Sequence, residues 1–293
     1  MKIAPARELP VHDLLADDLP AARRATYVLD QVVSYAYPAV ARNLHQKLVV
    51  VPPARHGDQV RVSDEVAVHC PTPTRSRRLS DRFGNTVLYV KAPEVDSTIS
   101  FDVRAVVERG RPVALGPERW SPRLSGQTAR TTPDEALRDV AADLRRRGTA
   151  VDQLELVDAI GAHVHRSMRY AKGVTDVGTT AARAWSGGAG VCQDMAHVMV
   201  VLCRLNGIPA RYVSGHLVGE GASHAWVEAL VRRGRRDTVV AFDPTHDRRT
   251  DLRYLTVAVG RDYGDVTPTS GTYQSDRGGS LVITKALTVT SMA

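Results

Sequence analysis

The sequence predicts an α+β protein in two parts: an N-terminal β-sandwich, then a unit in which helices precede an antiparallel sheet. Three observations carry this reading. From about Val28 to Val107, short apolar or alternating runs are cut by turn residues; from Thr132 to Asn206, apolar residues recur at helical spacing; and from Arg211 to Val289, strand-like runs alternate with charged turns. With 293 residues and 43% hydrophobic content, the chain can bury the core that two such units need.

Residues 1–27 are read as an N-terminal segment and 28–108 as the β domain. Within that domain, Lys47 to Val51, Val60 to Val68, Thr86 to Lys91 and Ser97 to Val107 are strands. Pro52-Pro53, Gly57-Asp58 and the hairpin turn Asp81-Arg82-Phe83-Gly84-Asn85 separate them. Residues 109–131 form a linker, because Arg111-Pro112, Gly116-Pro117 and Ser121-Pro122 break any regular element. Residues 132–293 form the second domain. It opens on Thr132-Pro133-Asp134-Glu135, which combines an N-cap, a proline at the first helical position and a glutamate able to close a capping box, so a helix follows to about Arg147. A second helix spans Asp152 to Arg169, with Leu154, Val157, Ile160, Val164 and Met168 on one stripe and Gly161 leaving room on it for a close neighbour. A third, Cys192 to Asn206, is apolar nearly all round and ends at Gly207. Strands follow over Arg211 to Leu217, Ser223 to Val231, Thr238 to Phe242, Tyr254 to Val259 and Ser280 to Val289, with Arg232 to Asp237 as a hairpin turn.

Composition narrows the function. The N-terminus lacks an apolar signal region, and no stretch approaches the roughly 20 apolar residues of a membrane span, so neither secretion nor a membrane partner is expected. Cys70, Cys192 and Cys203 form an odd set without paired spacing, which argues against a disulfide framework or zinc ribbon and for a cytoplasmic location. The net charge of +7 comes from separate arginine clusters, such as Arg75/Arg77/Arg78 and Arg145 to Arg147, with no interleaved aromatic platform. They read as solvated surface, and no nucleic-acid partner is expected. His163 and His165, two apart on a helix, point to different faces, so no metal is expected from them. No phosphate-cradling glycine loop and no spaced acidic calcium loop is present, so no cofactor is expected.

The chemistry concentrates around Cys192. It follows the turn Ser186-Gly187-Gly188-Ala189-Gly190 at a helix start, where free N–H groups and the helix dipole favour a thiolate. A nucleophilic thiol needs a base that later returns the proton, and an imidazole does both. His224 opens a strand on which His224, Trp226 and Glu228 share a face, and Asp243 ends the next strand, positioned to hold the imidazole tautomer. The expected catalytic residues are Cys192, His224 and Asp243. Gln193 is a candidate oxyanion donor, and Trp185, Trp226 and Tyr263 are candidates for the substrate pocket. Asp194 reads as a first-turn cap, His197 as a hydrogen-bonded core histidine and Cys203 as a small buried hydrophobe.

Five ordered segments carry a resemblance over about Val28 to Val289: Asp81 to Asn85, Gly190-Val191-Cys192-Gln193-Asp194, Gly207 to Gly215, Ser223-His224-Ala225-Trp226 and Gly260-Arg261-Asp262-Tyr263. They resemble the bacterial transglutaminase-like proteins of the papain-like cysteine peptidase group, which carry an N-terminal β domain. The resemblance implies a helix bearing Cys192 packed on an antiparallel sheet. It also implies acyl transfer from a peptide-like amide or ester through a thioester on Cys192, with Cys192, His224 and Asp243 as the catalytic residues. The chain departs from the family pattern at Val239, where a tryptophan is common, at His246, where asparagine is common, and at Met195, in place of an aromatic residue. The leading expectation is a transglutaminase-like peptidase or amidohydrolase. The alternatives are a biosynthetic amide-forming acyltransferase taking a carrier thioester or ester and an amine acceptor, motivated by those three departures, and an inactive peptide- or protein-binding module.

Overall fold

The structure is a computed structural model that describes residues 18–110, 126–147, 152–233 and 236–293. Most of the expected N-terminal segment and linker, and the tip Gly234-Arg235 of the arginine-rich hairpin, lie outside the described residues. Seven strands come first: β1 (Arg24–Ala36), β2 (Ala41–Val51), β3 (Arg55–His56), β4 (Gln59–His69), β5 (Arg75–Ser80), β6 (Thr86–Val95) and β7 (Thr98–Gly110). Helices α1 (Glu135–Arg147), α2 (Gln153–Ser167), α3 (Ala181–Gly187) and α4 (Cys192–Leu205) follow, with the short parallel pair β8 (Arg169–Tyr170) and β9 (Ala189–Gly190) between them. The chain closes with β10 (Ala210–Leu217), β11 (Ser223–Arg233), β12 (Arg236–Asp243), β13 (Arg248–Arg249), β14 (Tyr254–Gly260), α5 (Tyr263–Val266), β15 (Thr269–Gln274) and β16 (Ser280–Met292).

The N-terminal strands form two sheets, ordered β16-β1-β7-β4-β3 and β15-β2-β6-β5. Alternation builds the first: Ala25, Tyr27, Leu29, Val33 and Tyr35 of β1 point inward beside Ile99, Phe101, Val103 and Ala105 of β7. Leu44, Leu48 and Val90 of the second sheet meet Val33 and Phe101 to form the sandwich core. The sequence places Ser280 to Val289 in the second domain, but β16 runs antiparallel along the whole of β1, from Ala25 opposite Met292 to Ala36 opposite Ser280, and β15 pairs with β2. The end of the chain therefore completes the sandwich. Period-two alternation specifies which face of a strand is buried and leaves its partner open, so the sequence pattern carried no signal for this return.

The second unit is an antiparallel sheet, β13-β12-β11-β10-β14, with helices on one face. α4 lies at its centre, buried from Asp194 through Cys203. It contacts Ala225, Val227 and Ala229 of β11 and is flanked by Leu137 and Ala141 of α1, Val157, Ile160 and Val164 of α2, and Ala181 and Ala184 of α3. Gly188, at φ 61° in the left-handed region, ends α3 and turns the chain toward Cys192. His197 is a core residue: its Nε2 accepts the Tyr263 N–H at 3.1 Å, and its ring lies 5.0 Å from that of Tyr212.

The sandwich docks on the exposed edge of this sheet. Strand edges present unpaired backbone groups that proteins must cover. Here two buried amides do so: Gln59 donates to the Thr256 carbonyl at 2.7 Å and accepts its N–H at 2.9 Å, and Asn85 does the same to Val259 at 2.8 Å each way. Asn85 belongs to the Asp81 to Asn85 turn, which thus joins the two units. Tyr27, Leu29, Ala105 and Val107 bury Leu255 and Val257 beside it. Arg109 holds Asp58 through two 3.0 Å bonds and also donates to the Asp251 carbonyl at 3.0 Å. Among the described residues no helix is long and apolar enough to cross a membrane.

Two predictions follow from this packing. The room left by Gly161 is filled by Phe242, and a Cβ on residue 161 would lie 2.2 Å from the Phe242 ring. Gly161→Ala should therefore destabilise the protein by about 1–3 kcal/mol through overpacking, measured by denaturant unfolding. Burial pushes the His197 imidazole down to about 4 from its ordinary 6.5, so the folded protein keeps it neutral while the unfolded chain takes up a proton below 6.5. The resulting stability is intact above about pH 6.5 and is lost as pH falls toward 4, by on the order of 3 kcal/mol. Unfolding midpoints across that window should drop for the wild type and drop less for His197→Asn.

Candidate active site

Four elements bring the site together. Cys192 is the first residue of α4, half-buried where the helix opens. The start of that helix is locked from within: Asp194 Oδ2 accepts the Val191 N–H at 2.8 Å and the Thr175 hydroxyl at 2.7 Å. Gly190 is required there, because a Cβ on it would lie 2.6 Å from the Asp194 carboxylate. His224, near the start of β11, faces Cys192 closely enough for the two to interact electrostatically, and it donates from Nε2 to Asp243 Oδ2 at 2.7 Å. With Nε2 held by Asp243, Nδ1 is the ring nitrogen left for the thiol.

Asp243, fully buried at the end of β12, is the hub. Its Oδ2 also accepts from His246 Nδ1 at 2.7 Å and from the Tyr254 hydroxyl at 2.8 Å, while Oδ1 accepts the Thr245 N–H at 2.8 Å. Burial alone would raise its carboxyl, but the hydrogen bonds from His224 and His246 prevail and hold it well below the usual carboxylate range. Burial likewise opposes a charged His224, but its bond to Asp243 and the nearby Cys192 prevail and lift it to about 10. The hydrogen bonds that His246 donates to Asp243 and Glu220 lift it to about 9. Glu220, in the turn before β11, lies 3.4 Å from His224 Nδ1 and 3.3 Å from His246 Nε2. Lys285 of β16 reaches the same region, its Nζ donating to Ser223 Oγ at 2.6 Å; burial pushes it down to about 8 against the opposing charges of Cys192 and Glu220.

A cleft of about 460 Å³ opens over this cluster, lined by Tyr170, Lys172, Glu220, His224, Thr245 and His246. That volume suits a small substrate or one side chain of a larger one. Cys192, His224 and Asp243, singled out from the sequence, are thus brought together, with His224 hydrogen-bonded to Asp243 and facing Cys192. Gln193 lies half-buried beside Cys192 in the first turn of α4. Three other pocket candidates lie away from the cleft lining. Trp226 is buried behind His224, with ring centroids 6.2 Å apart, and supports it from the far side. Trp185 packs against the helical core with its ring 5.7 Å from His163, and Tyr263 sits edge-on to Tyr212 at 6.4 Å. Of the three departures from the family pattern, Met195 is buried in the helical core, and Val239 lines a separate cavity with His56, Glu228 and Tyr254. Only His246 stands in the site. Glu220, Tyr254 and Lys285 were not found from the sequence; Glu220 alone carried a local signal, a charged residue in a glycine turn four positions before His224.

Comparison with known proteins agrees with this architecture. Residues 27–108 match the bacterial transglutaminase-like N-terminal region, and residues 138–244 match the transglutaminase-like superfamily. The chain is 32% identical over 226 residues to uncharacterized protein ML0607 of Mycobacterium leprae (strain TN), covering 70% of this chain and 78% of that protein. It is 30% identical over 141 residues to uncharacterized protein Rv2569c of Mycobacterium tuberculosis, covering 44% of this chain and 45% of that one. Its fold is similar to the crystal structure of "a Putative Cysteine Protease from Cytophaga hutchinsonii", with a TM-score of 0.71 and 20% identity over 92% of each chain. The sandwich and the helix-on-sheet unit correspond to the two matched regions, and the chain belongs to the transglutaminase-like superfamily, in its bacterial form with the dedicated N-terminal region.

Proposed function

We propose that this protein is a cysteine-dependent acyl-transfer enzyme that forms a thioester on Cys192 from a peptide-like amide or an ester. The observation that carries this reading is the placement of Cys192 at a helix start facing His224, whose imidazole donates to the buried Asp243 at 2.7 Å and lines a cleft. His224 Nδ1 takes the thiol proton as Cys192 Sγ attacks the acyl carbonyl, and the imidazolium then gives that proton to the departing amine or alcohol. Asp243 holds the ring so that Nδ1 faces the sulfur throughout, as the orienting carboxylate does in any such triad. The first-turn N–H groups of a helix have no acceptor within it, so those of Cys192 and Gln193 are available to the developing oxyanion. In the second half-reaction His224 deprotonates the acceptor, which displaces the sulfur and regenerates the thiol.

Water is the acceptor in the leading reading, which makes the protein a peptidase or amidohydrolase. An amine is the second, and one feature favours it: Glu220 sets a carboxylate at the mouth of the cleft, 3.4 Å from His224 Nδ1, where an incoming ammonium would be held. The amine could be free or offered by a partner, and the acyl group could arrive on a carrier.

Brief exposure to limiting iodoacetamide, followed by intact-mass measurement and peptide mapping, tests the nucleophile. Cys192 should label first and alone. Cys203 should stay unmodified, because burial pushes its thiol up to about 12. Cys192→Ala should abolish the fast phase and His224→Ala should slow it by about 10²-fold or more. Slow labelling of Cys192, indifferent to His224, would instead leave a peptide-binding module. Once a donor is found, mass analysis of the product with and without added amine separates hydrolysis from amide formation.

A further inference from the structure

The polar cluster beside Cys192 contains more donors than an acyl-transfer triad uses. Glu220, His224 and His246 come from the turn before β11, from β11 itself and from the turn after β12, so the sequence does not announce the three as one group. One donor atom from each lies within 4.8 Å of the others. We propose that these three side chains form a binding site for a divalent transition-metal ion of the zinc class, and that the bound ion withholds His224 from Cys192.

Three features support this assignment. First, each imidazole has one nitrogen tied to the same carboxylate oxygen: His224 Nε2 and His246 Nδ1 both donate to Asp243 Oδ2 at 2.7 Å. A carboxylate on the far nitrogen is the arrangement that fixes ring orientation and raises ligand basicity in metal-bound histidines. It leaves His224 Nδ1 and His246 Nε2 aimed at one spot. Second, the spacing is close. Metal–ligand bonds of about 2.0–2.1 Å in a tetrahedron require donors about 3.3–3.4 Å apart; His224 Nδ1 lies 3.4 Å from one Glu220 oxygen and His246 Nε2 lies 3.3 Å from the other, so small side-chain rotations bring one donor from each residue onto a single ion. Third, two imidazoles and one carboxylate are a donor set suited to zinc and its neighbours and poorly suited to magnesium or calcium, which take oxygen ligands. The cleft gives an ion access, and the fourth position falls to water.

Occupancy has a direct consequence. His224 Nδ1 cannot bind a metal and accept the Cys192 proton at once, so the loaded protein is held inactive and a chelator releases it. The site itself does not depend on Cys192 acting as a nucleophile, so it is tested by binding. Full-length protein stripped with a chelator is titrated with Zn²⁺ by calorimetry and with Co²⁺ by visible absorption, at mildly alkaline pH where protons compete less for the imidazoles. One ion per chain is expected, with the intense visible bands of four-coordinate cobalt. Glu220→Gln and His246→Gln should each weaken binding by at least 10-fold, while Cys192→Ser retains it. Glu220→Gln is a near-isosteric change in a half-exposed turn, and far-ultraviolet circular dichroism verifies that both variants are folded. Zn²⁺ should also slow iodoacetamide labelling of Cys192 with the affinity found by calorimetry. The proposal is overturned if no saturable binding occurs, leaving an ion-pair cluster only. It is equally overturned if binding survives both Glu220→Gln and His246→Gln but is lost in Cys192→Ser, which would be capture by the thiol alone.

Discussion

One carboxylate oxygen, Oδ2 of Asp243, organises the site. It accepts hydrogen bonds from three side chains on three different segments: His224 on β11, His246 in the turn after β12, and Tyr254 at the start of β14. A fully buried carboxylate is strongly disfavoured unless its lone pairs are satisfied and its charge is matched. Here the match comes from imidazoles raised toward their charged forms, and the fourth bond, from the Thr245 N–H, closes the turn that carries His246. The carboxylate, the two histidines and the tyrosine therefore hold one another. Behind them, Arg248 donates to the Tyr254 hydroxyl at 2.8 Å, so the network ends on a partly exposed cation.

The N-terminal sandwich is a structural requirement of that network. Tyr254 belongs to β14, the outer strand of the sheet, and an outer strand is held on one side only. Gln59 and Asn85 occupy the other side, each making the paired bonds that a neighbouring strand would make. His56 extends the same docking surface: its Nε2 lies 2.7 Å from Glu228, which Arg211 also holds, so the far face of β11 is clamped behind Trp226. The return of the chain into the sandwich as β16 then brings Lys285 to the edge of the cleft. A cation close to Cys192 and Glu220 thus comes from the unit that carries none of Cys192, His224 and Asp243.

Much of this was legible in the sequence wherever function depends on local pattern. A glycine turn, a cysteine at a helix start, a histidine opening a strand and an aspartate closing the next are short signals, and Cys192, His224 and Asp243 occupy those positions. The helical stripe of α2 was legible for the same reason, down to the gap at Gly161 that Phe242 fills. What escaped depends on partners distant in sequence. α3 has seven residues, too few to show a period. β5, with Arg75, Arg77 and Arg78, is an exposed edge strand, so the charge that reads as solvated surface also protects a sheet edge. The destination of β16 and the convergence of Glu220 with His246 are set by tertiary packing alone.

The two cysteines of α4 show how far position outweighs residue type. Cys192 and Cys203 stand on one helix, eleven residues or roughly 16 Å apart at about 1.5 Å per residue. Cys203 is fully buried among aliphatic side chains, where desolvation disfavours the thiolate and no base faces it. Cys192 lies at the opposite end, half-buried, with an imidazole facing it and an anchored carboxylate behind that imidazole. Residue type does not distinguish the two thiols, and their positions on the helix do. The distinction comes from where the helix begins: Gly188 turns the chain, Asp194 pins the first turn against Val191, and Cys192 is left at the end of α4 that faces His224.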